Sequence, residues 1–198
     1  MPAALILVAD GSEEIEFVTP YDVLTRAGFQ VRSAGVNLQE PYAHMSRNLR
    51  ILPDHPNLQA IPSQSAHENF DILILPGGAA GSKTFCDSPV VLDLICQFRT
   101  AGKWVAVICA ATTALVAAGQ QGKEGVKVTS HPSVADEIKK SVGWTYSEER
   151  IVVVPEAKVV TSRGPGTAML FALTIVELLC GREKRDEVAA PMLVADTL

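Results

Sequence analysis

The sequence predicts an α/β fold, a mostly parallel sheet with helices on both faces. Three observations carry this. Apolar runs of strand length recur along the chain, helical patterns separate them, and several of the runs are continuously apolar, as strands covered on both sides are. The chain has 198 residues, 47% hydrophobic and 20% charged. A domain averages roughly 150 residues, so a single domain over residues 1–198 is expected.

Ala4 to Ala9 is a short apolar run and reads as the first strand. Ser12 to Ala27 follows with apolar residues at Ile15, Val18, Tyr21 and Val23/Leu24, close to helical spacing, and Gly28 ends it. Gln30 to Ala34 alternates as a second strand. Residues 36–70 are polar and contain prolines, and an antiparallel excursion is the reading there. Ile72 to Leu75 is a strand closed by Pro76-Gly77-Gly78. Ser88-Pro89 supplies an N-cap and a first-turn proline for a helix that runs to Gly102. Trp104 to Ile108 is a buried strand and Ala110 to Ala118 a helix stopped by Gly119. Val126 to Ser130, Ile151 to Val154 and Val159 to Ser162 are further strands, and Thr167 to Cys180 is a mostly apolar helix.

Charge narrows the possible partners. With 17 basic and 22 acidic residues the net charge is −5, so no broad cationic surface exists for nucleic acid or anionic lipid. The N-terminal apolar run has no basic flank and meets Asp10 at once, unlike a signal or transit peptide. The apolar stretches Trp104 to Gly119 and Met169 to Cys180 fall short of the roughly 20 residues of a membrane span. A cytoplasmic location, with the nucleus also open, and a small neutral or anionic substrate are therefore expected. His44, His55, His67 and His131 are scattered without metal-ligand spacing, so no metal is expected. Neither glycine-rich loop has the full GxGxxG order, which argues against a nucleotide.

Ligands of open α/β sheets bind at the carboxyl ends of the strands. At one such exit Val107-Ile108-Cys109-Ala110-Ala111 places a cysteine where a buried strand turns directly into a helix, among small residues that permit a tight turn. This matches a nucleophile elbow, and the helix N-terminus there should favour thiolate over thiol. A buried core cysteine is the alternative. Cys86, in a turn-like stretch, and Cys96 and Cys180, in helical patterns, receive that inert reading.

At another exit, Asp10-Gly11-Ser12-Glu13-Glu14-Ile15-Glu16 brings three carboxylates. Glu13 and Glu14 suffice to offset the helix dipole. Glu16 lies four residues before Pro20, so a kink should fall there and tilt its side chain toward the strand ends. A half-buried glutamate beside a thiolate would have a raised pKa and could shuttle a proton. His131, just after a strand exit, is the third candidate, with a structural role equally open. Gly77-Gly78 can present backbone N–H groups to an oxyanion, and the loop from Thr161 to Thr167 carries Arg163.

Together, Asp10 to Glu16, Leu75-Pro76-Gly77-Gly78, Ile108-Cys109-Ala110, Ser130-His131-Pro132, Tyr146-Ser147-Glu148 and Ser162 to Thr167 resemble the ThiJ/PfpI superfamily. More narrowly they are similar to its parkinsonism-associated deglycase branch, which includes glutathione-independent glyoxalases (glyoxalase III, D-lactate dehydratase). The resemblance covers nearly the whole chain in order. It implies a flavodoxin-like sandwich, a homodimer, and Cys109 as nucleophile or oxidation-sensitive thiol. It further implies Glu16 as acid/base partner, His131 nearby, N–H groups from Gly78 and Ala110, and a pocket bordered by Arg163 and Arg47, the latter from the other subunit.

Departures sharpen this expectation. Ala111-Thr112 replaces the Gly-Pro often found after the cysteine, and Met45 and Leu52 stand where some relatives carry further cysteines. No histidine follows Cys109, which disfavours the peptidase branch, and His131-Pro132-Ser133 lacks the glutamate of glutamine amidotransferases. The leading expectation is a cofactor-free conversion of methylglyoxal, a 2-oxoaldehyde, and water to lactate through a Cys109 hemithioacetal. The alternative is a redox sensor, chaperone or protein deglycase whose Cys109 is oxidised to sulfinate.

Overall fold

The structure, a computed structural model, describes residues 1–61, 65–120 and 125–195. Strand β1 (Ala3–Val8) leads into helix α1 (Glu14–Arg26), strand β2 (Gln30–Gly35) and a small hairpin of β3 (Ala43–His44) and β4 (Arg50–Ile51). Helix α2 (Ala66–Asn69), strand β5 (Ile72–Leu75), helices α3 (Ala79–Cys86) and α4 (Pro89–Thr100) and strand β6 (Trp104–Ile108) follow. The chain continues through α5 (Thr112–Ala118), β7 (Val126–Val128), α6 (Ala135–Lys140), β8 (Trp144–Tyr146), β9 (Ile151–Val154) and β10 (Val159–Ser162). Helices α7 (Ala168–Cys180) and α8 (Arg182–Ala189) complete it.

Six strands form the main sheet in the order β2-β1-β5-β6-β10-β9. All neighbours are parallel except β9, which pairs antiparallel with β10 at the edge. Counted within the sheet, the five parallel strands follow the flavodoxin-like order 2-1-3-4-5, whose switch point lies between β1 and β5.

Side-chain alternation divides the strands between two cores. Leu5, Leu7, Leu73, Leu75, Val105 and Val107 point to one face and meet Phe85, Leu94 and Phe98 of α3 and α4 and Leu115 of α5. Ile6, Val8, Ile72, Ile74, Ala106 and Ile108 point to the other and meet Phe17 and Leu24 of α1 and Phe171 and Ile175 of α7. Each fully buried Leu, Ile or Phe contributes about 1.5–3 kcal/mol through lost apolar surface. Both faces are therefore fully used, which is why these strands read as unbroken apolar runs.

The expected antiparallel excursion is the β3/β4 hairpin, where Ala43 pairs with Ile51; residues 62–64 of that stretch lie outside the described residues. Three local expectations are corrected. Cys86 ends helix α3 rather than lying in a turn. The strand expected from Val126 to Ser130 stops at Val128 and pairs with β8 in a separate two-stranded sheet. Helices α6 and α8 were not expected, because each buries so little apolar surface: Ala135 and Ile138 in α6, Val188 in α8.

Candidate active site

The elbow at Cys109 follows from where β6 ends. Ile108 completes a strand of five buried residues, and Cys109 opens a 3-10 turn (Cys109–Ala111) that passes directly into α5. Cys109 has φ +64°, a left-handed conformation that costs a non-glycine residue of order 1–3 kcal/mol and persists only where neighbours fix it. They do so here: Thr113 Oγ1 donates to Ala110 O at 2.7 Å, and Thr112 Oγ1 donates to Thr129 O at 2.9 Å. The Cys109 carbonyl also accepts the His131 N–H at 3.3 Å.

Glu16 reaches the same point from the first turn of α1. Glu13 is the N-cap, its carboxylate accepting the Glu16 N–H at 2.9 Å, and Glu13 N–H donates to Gly77 O at 3.0 Å, tying the exit of β1 to that of β5. The helix continues unbroken through Pro20, so the first-turn position, not an interruption of the helix, directs Glu16 inward. Its side chain is fully buried. Oε2 accepts the Gly77 N–H at 2.8 Å, while Oε1 has no hydrogen-bond partner.

Gly77 is what allows carboxylate and thiol to meet. A Cβ built there would lie 2.6 Å from Cys109 Cβ and 2.6 Å from Glu16 Oε2, closer than real contacts allow. Gly78 has φ +89°, and a Cβ on it would stand 2.2 Å from Gly11 O. The N–H groups of Gly78 and Ala110 hydrogen-bond to Cys109.

Burial governs the electrostatics. Removal from water raises the Glu16 carboxyl to about 7, against the opposing hydrogen bonds from Cys109 and Gly77. The Cys109 thiol is pushed up to about 12, first by burial and next by the Glu16 carboxylate, which outweigh the Gly78 and Ala110 N–H groups. This corrects the expected lowering by the helix N-terminus. Cys109 is only 8% exposed and its thiol faces an anion, so the two groups behave as a pair that loses one proton near pH 7 and holds the second far higher.

The remaining candidates stand at different distances from this pair. His131 is beside it: a Cβ built on Gly164 would lie 3.5 Å from His131 Cδ2 and 4.0 Å from Glu16 Oε1. Arg163 leaves the end of β10 and donates through Nη1 to Glu148 O at 2.8 Å. Arg47 is not brought to Cys109 within one chain; it is exposed in the β3/β4 turn, where its N–H donates to Glu14 Oε1 and its Nη1 to Ser46 O. Gly164 and Ser133 lie in strand exits that the sequence marks as candidate ligand sites, but nothing in their spacing marks either as a neighbour of the pair. Among the described residues no group of three or more His, Cys, Asp or Glu side chains could hold a metal ion, and no helix is long and apolar enough to cross a membrane.

A flavodoxin-like sheet with a strained cysteine elbow and a buried carboxylate at its switch point defines the class: an α/β protein built around a Cys–Glu pair. Residues 2–178 match the DJ-1/PfpI family, and the chain belongs to it. It is 41% identical over 193 residues to protein dj-1beta of Drosophila melanogaster, covering 98% of this chain and 97% of that one. It is 32% identical over 190 residues to the glutathione-independent glyoxalase DJ-1 of Schizosaccharomyces pombe, covering 95% and 96% of the two chains. The crystal structure of Drosophila melanogaster DJ-1beta superposes with a TM-score of 0.85 at 40% identity over 98% of both chains.

Proposed function

We propose that the protein is a cofactor-free, glutathione-independent glyoxalase of the glyoxalase III (D-lactate dehydratase) type, converting methylglyoxal and water to lactate. The observation that carries this is the fully buried Glu16 carboxyl brought to Cys109 across the side-chain-free Gly77, supported by the similarity to a relative named as a glutathione-independent glyoxalase.

The cysteine sulfur adds to the aldehyde carbon, and the proton of the pair passes to the aldehyde oxygen, giving a hemithioacetal and leaving Glu16 as carboxylate. Glu16 then takes the hydrogen from that carbon to form an enediol and returns it to the neighbouring carbon, with His131 assisting at the oxygens; the product is a lactoyl thioester. Gly78 and Ala110 N–H groups favour negative charge on the sulfur, and Arg163 borders the substrate. Water cleaves the thioester, lactate leaves, one proton goes to solvent, and the remaining one returns to the pair. The small dicarbonyl needs no metal for these steps, because each charge that develops faces a proton or an N–H group.

A homodimer in the cytoplasm belongs to the same reading. Phe17, Val18, Tyr21, Leu49, Ile51 and Leu52 line a groove of about 490 Å³ between α1 and the β3/β4 hairpin. Leu52 is 73% exposed there, and a second copy packed on this face would cover it and carry Arg47 toward the neighbouring pocket.

Lactate formation from methylglyoxal without glutathione tests the proposal. Wild type should turn over and Cys109→Ala should not; equal rates would sink it. Redox sensing is the second reading, favoured by the same N–H cradle, which would also hold a sulfinate. Selective gain of two oxygens at Cys109 under mild peroxide, with negligible lactate formation, would select it.

A further inference from the structure

Ser133 has no part in the chemistry above, yet it touches the histidine that does. His131 caps a 3-10 turn (Pro132–Val134), and its Nδ1 accepts the Ser133 N–H at 3.2 Å and lies 2.8 Å from Ser133 Oγ. A backbone N–H and a hydroxyl that both reach one ring nitrogen favour it as an acceptor, without a proton. The neutral imidazole therefore carries its hydrogen on Nε2.

The opposite edge of the ring is turned inward. Cδ2, the neighbour of Nε2, faces the space beside Gly164, and the unpartnered, fully buried Glu16 Oε1 borders that same space. One edge of the imidazole is thus tied near the surface while the other looks into the gap beside the carboxylate.

We infer that Ser133 is a positioning residue for the proposed reaction, holding His131 as the Nε2–H tautomer with its donor edge toward the gap between Gly164 and Glu16. Nε2–H can then donate to the substrate oxygen on which charge gathers as the enediol forms, while Glu16 Oε1 works on the carbon-bound hydrogen. With the hydrogen on Nδ1, the inward nitrogen would be an acceptor and would oppose that charge. This inference rests on the glyoxalase reading for its role and on ring geometry for the tautomer, and the two are separable.

Nitrogen-15 NMR of the imidazole in the full-length protein, with His131 assigned by its loss in His131→Gln, should show Nδ1 unprotonated and Nε2 protonated. Ser133→Asp keeps the backbone N–H but exchanges the hydroxyl for a carboxylate that only accepts, and because a charge-assisted bond is about twice as strong as that of a neutral N–H it should draw the hydrogen to Nδ1. Its kcat for lactate formation should fall about tenfold or more with KM little changed, as expected when an interaction made only in the transition state is lost. Ser133→Thr keeps both donors and should retain the wild-type ring signature and rate. A protonated Nδ1 in wild type overturns the inference, as does a Ser133→Asp variant that flips the ring but turns over at the wild-type rate. A wild type with the expected ring signature and no lactate formation removes the glyoxalase reading, and the catalytic role with it, while the tautomer assignment stands.

Discussion

The Gly77 N–H donates to Glu16 Oε2 at 2.8 Å, so the exit of β5 holds the side chain that the first turn of α1 delivers to Cys109. The bond exists only because residue 77 has no side chain, since a Cβ there would meet Glu16 Oε2 and Cys109 Cβ at 2.6 Å each.

Gly77→Ala should therefore damage the site more than the fold. Backbone on one side and the elbow on the other leave little room to yield, and overpacking of this kind costs about 1–3 kcal/mol. Thermal unfolding should show a modest loss while lactate formation falls at least as far as in Glu16→Gln. An active Gly77→Ala protein would show that the carboxylate does not need this clamp.

Glu16→Gln keeps the shape of the side chain and its contact with Gly77 but removes the acid/base function. Proton transfer by a positioned group contributes about 10²–10⁴-fold, so kcat should fall by that range even though the thiol remains. Intact-protein mass spectrometry after alkylation should still find Cys109 reactive. The combination of a competent thiol and lost turnover separates proton shuttling from nucleophilic attack.

The pH dependence follows from the direction of the Glu16 shift. A carboxyl raised from 4.5 to about 7 binds its proton more tightly in the folded protein than in the unfolded one. Its stabilising effect is complete below pH 4.5 and is lost as pH rises through about 7. The loss from this group is about 3 kcal/mol across that window. Denaturant titrations at pH 4.5 and pH 8 should show it, and Glu16→Gln should flatten it. For activity the sign is opposite: below about 7 Glu16 holds its own proton and can take none from the thiol or from carbon, so kcat/KM should climb through that value.

The sequence showed the sheet and the elbow plainly, for a local reason. Five consecutive buried residues followed by Cys109-Ala110-Ala111 can hardly be anything but a strand entering a tight helical turn, and the alternating strands and helices restrict the topology. The direction of the thiol pKa is not legible there, because it is a tertiary sum. A helix N-terminus is visible in sequence, but full burial and a carboxylate 93 positions upstream are not, and these outweigh it. The hydrogen bonds from Ser133 to His131 were likewise hidden, since Ser-x-x patterns after proline are common and only the ring's orientation gives them meaning.

Arg99 is expected to matter for stability alone. It is 8% exposed, and its guanidinium donates to Gly119 O at 2.5 Å and Gln120 O at 2.9 Å, closing the C-terminal end of α5 against α4. The guanidinium carbon stands over the Trp144 ring, 5.8 Å from its centroid. Arg99→Met removes two charge-assisted bonds and should cost about 3 kcal/mol. For a chain of this length that is a fall in Tm of roughly 6–12 °C. Lactate formation measured well below Tm should be unchanged, because no contact of Arg99 leads to the pair.

The association proposed through α1 and the β3/β4 hairpin makes a prediction that links assembly to catalysis. Val18 and Leu52 are 44% and 73% exposed on one apolar groove. Val18→Asp combined with Leu52→Asp places two carboxylates in a face that a partner would bury, and unpaired buried charge is strongly unfavourable. Sedimentation should then find monomers where wild type sediments as a dimer. Arg47 is exposed in a single chain, and in the proposed dimer the other copy supplies it to the pocket. Hence the monomeric variant and Arg47→Ala should lose kcat/KM to a similar degree, and combining them should add little further. A wild type that is monomeric at all concentrations removes both the dimer and any role for Arg47 in the pocket. Additive losses would separate the two and remove Arg47 from the pocket that the dimer is proposed to build.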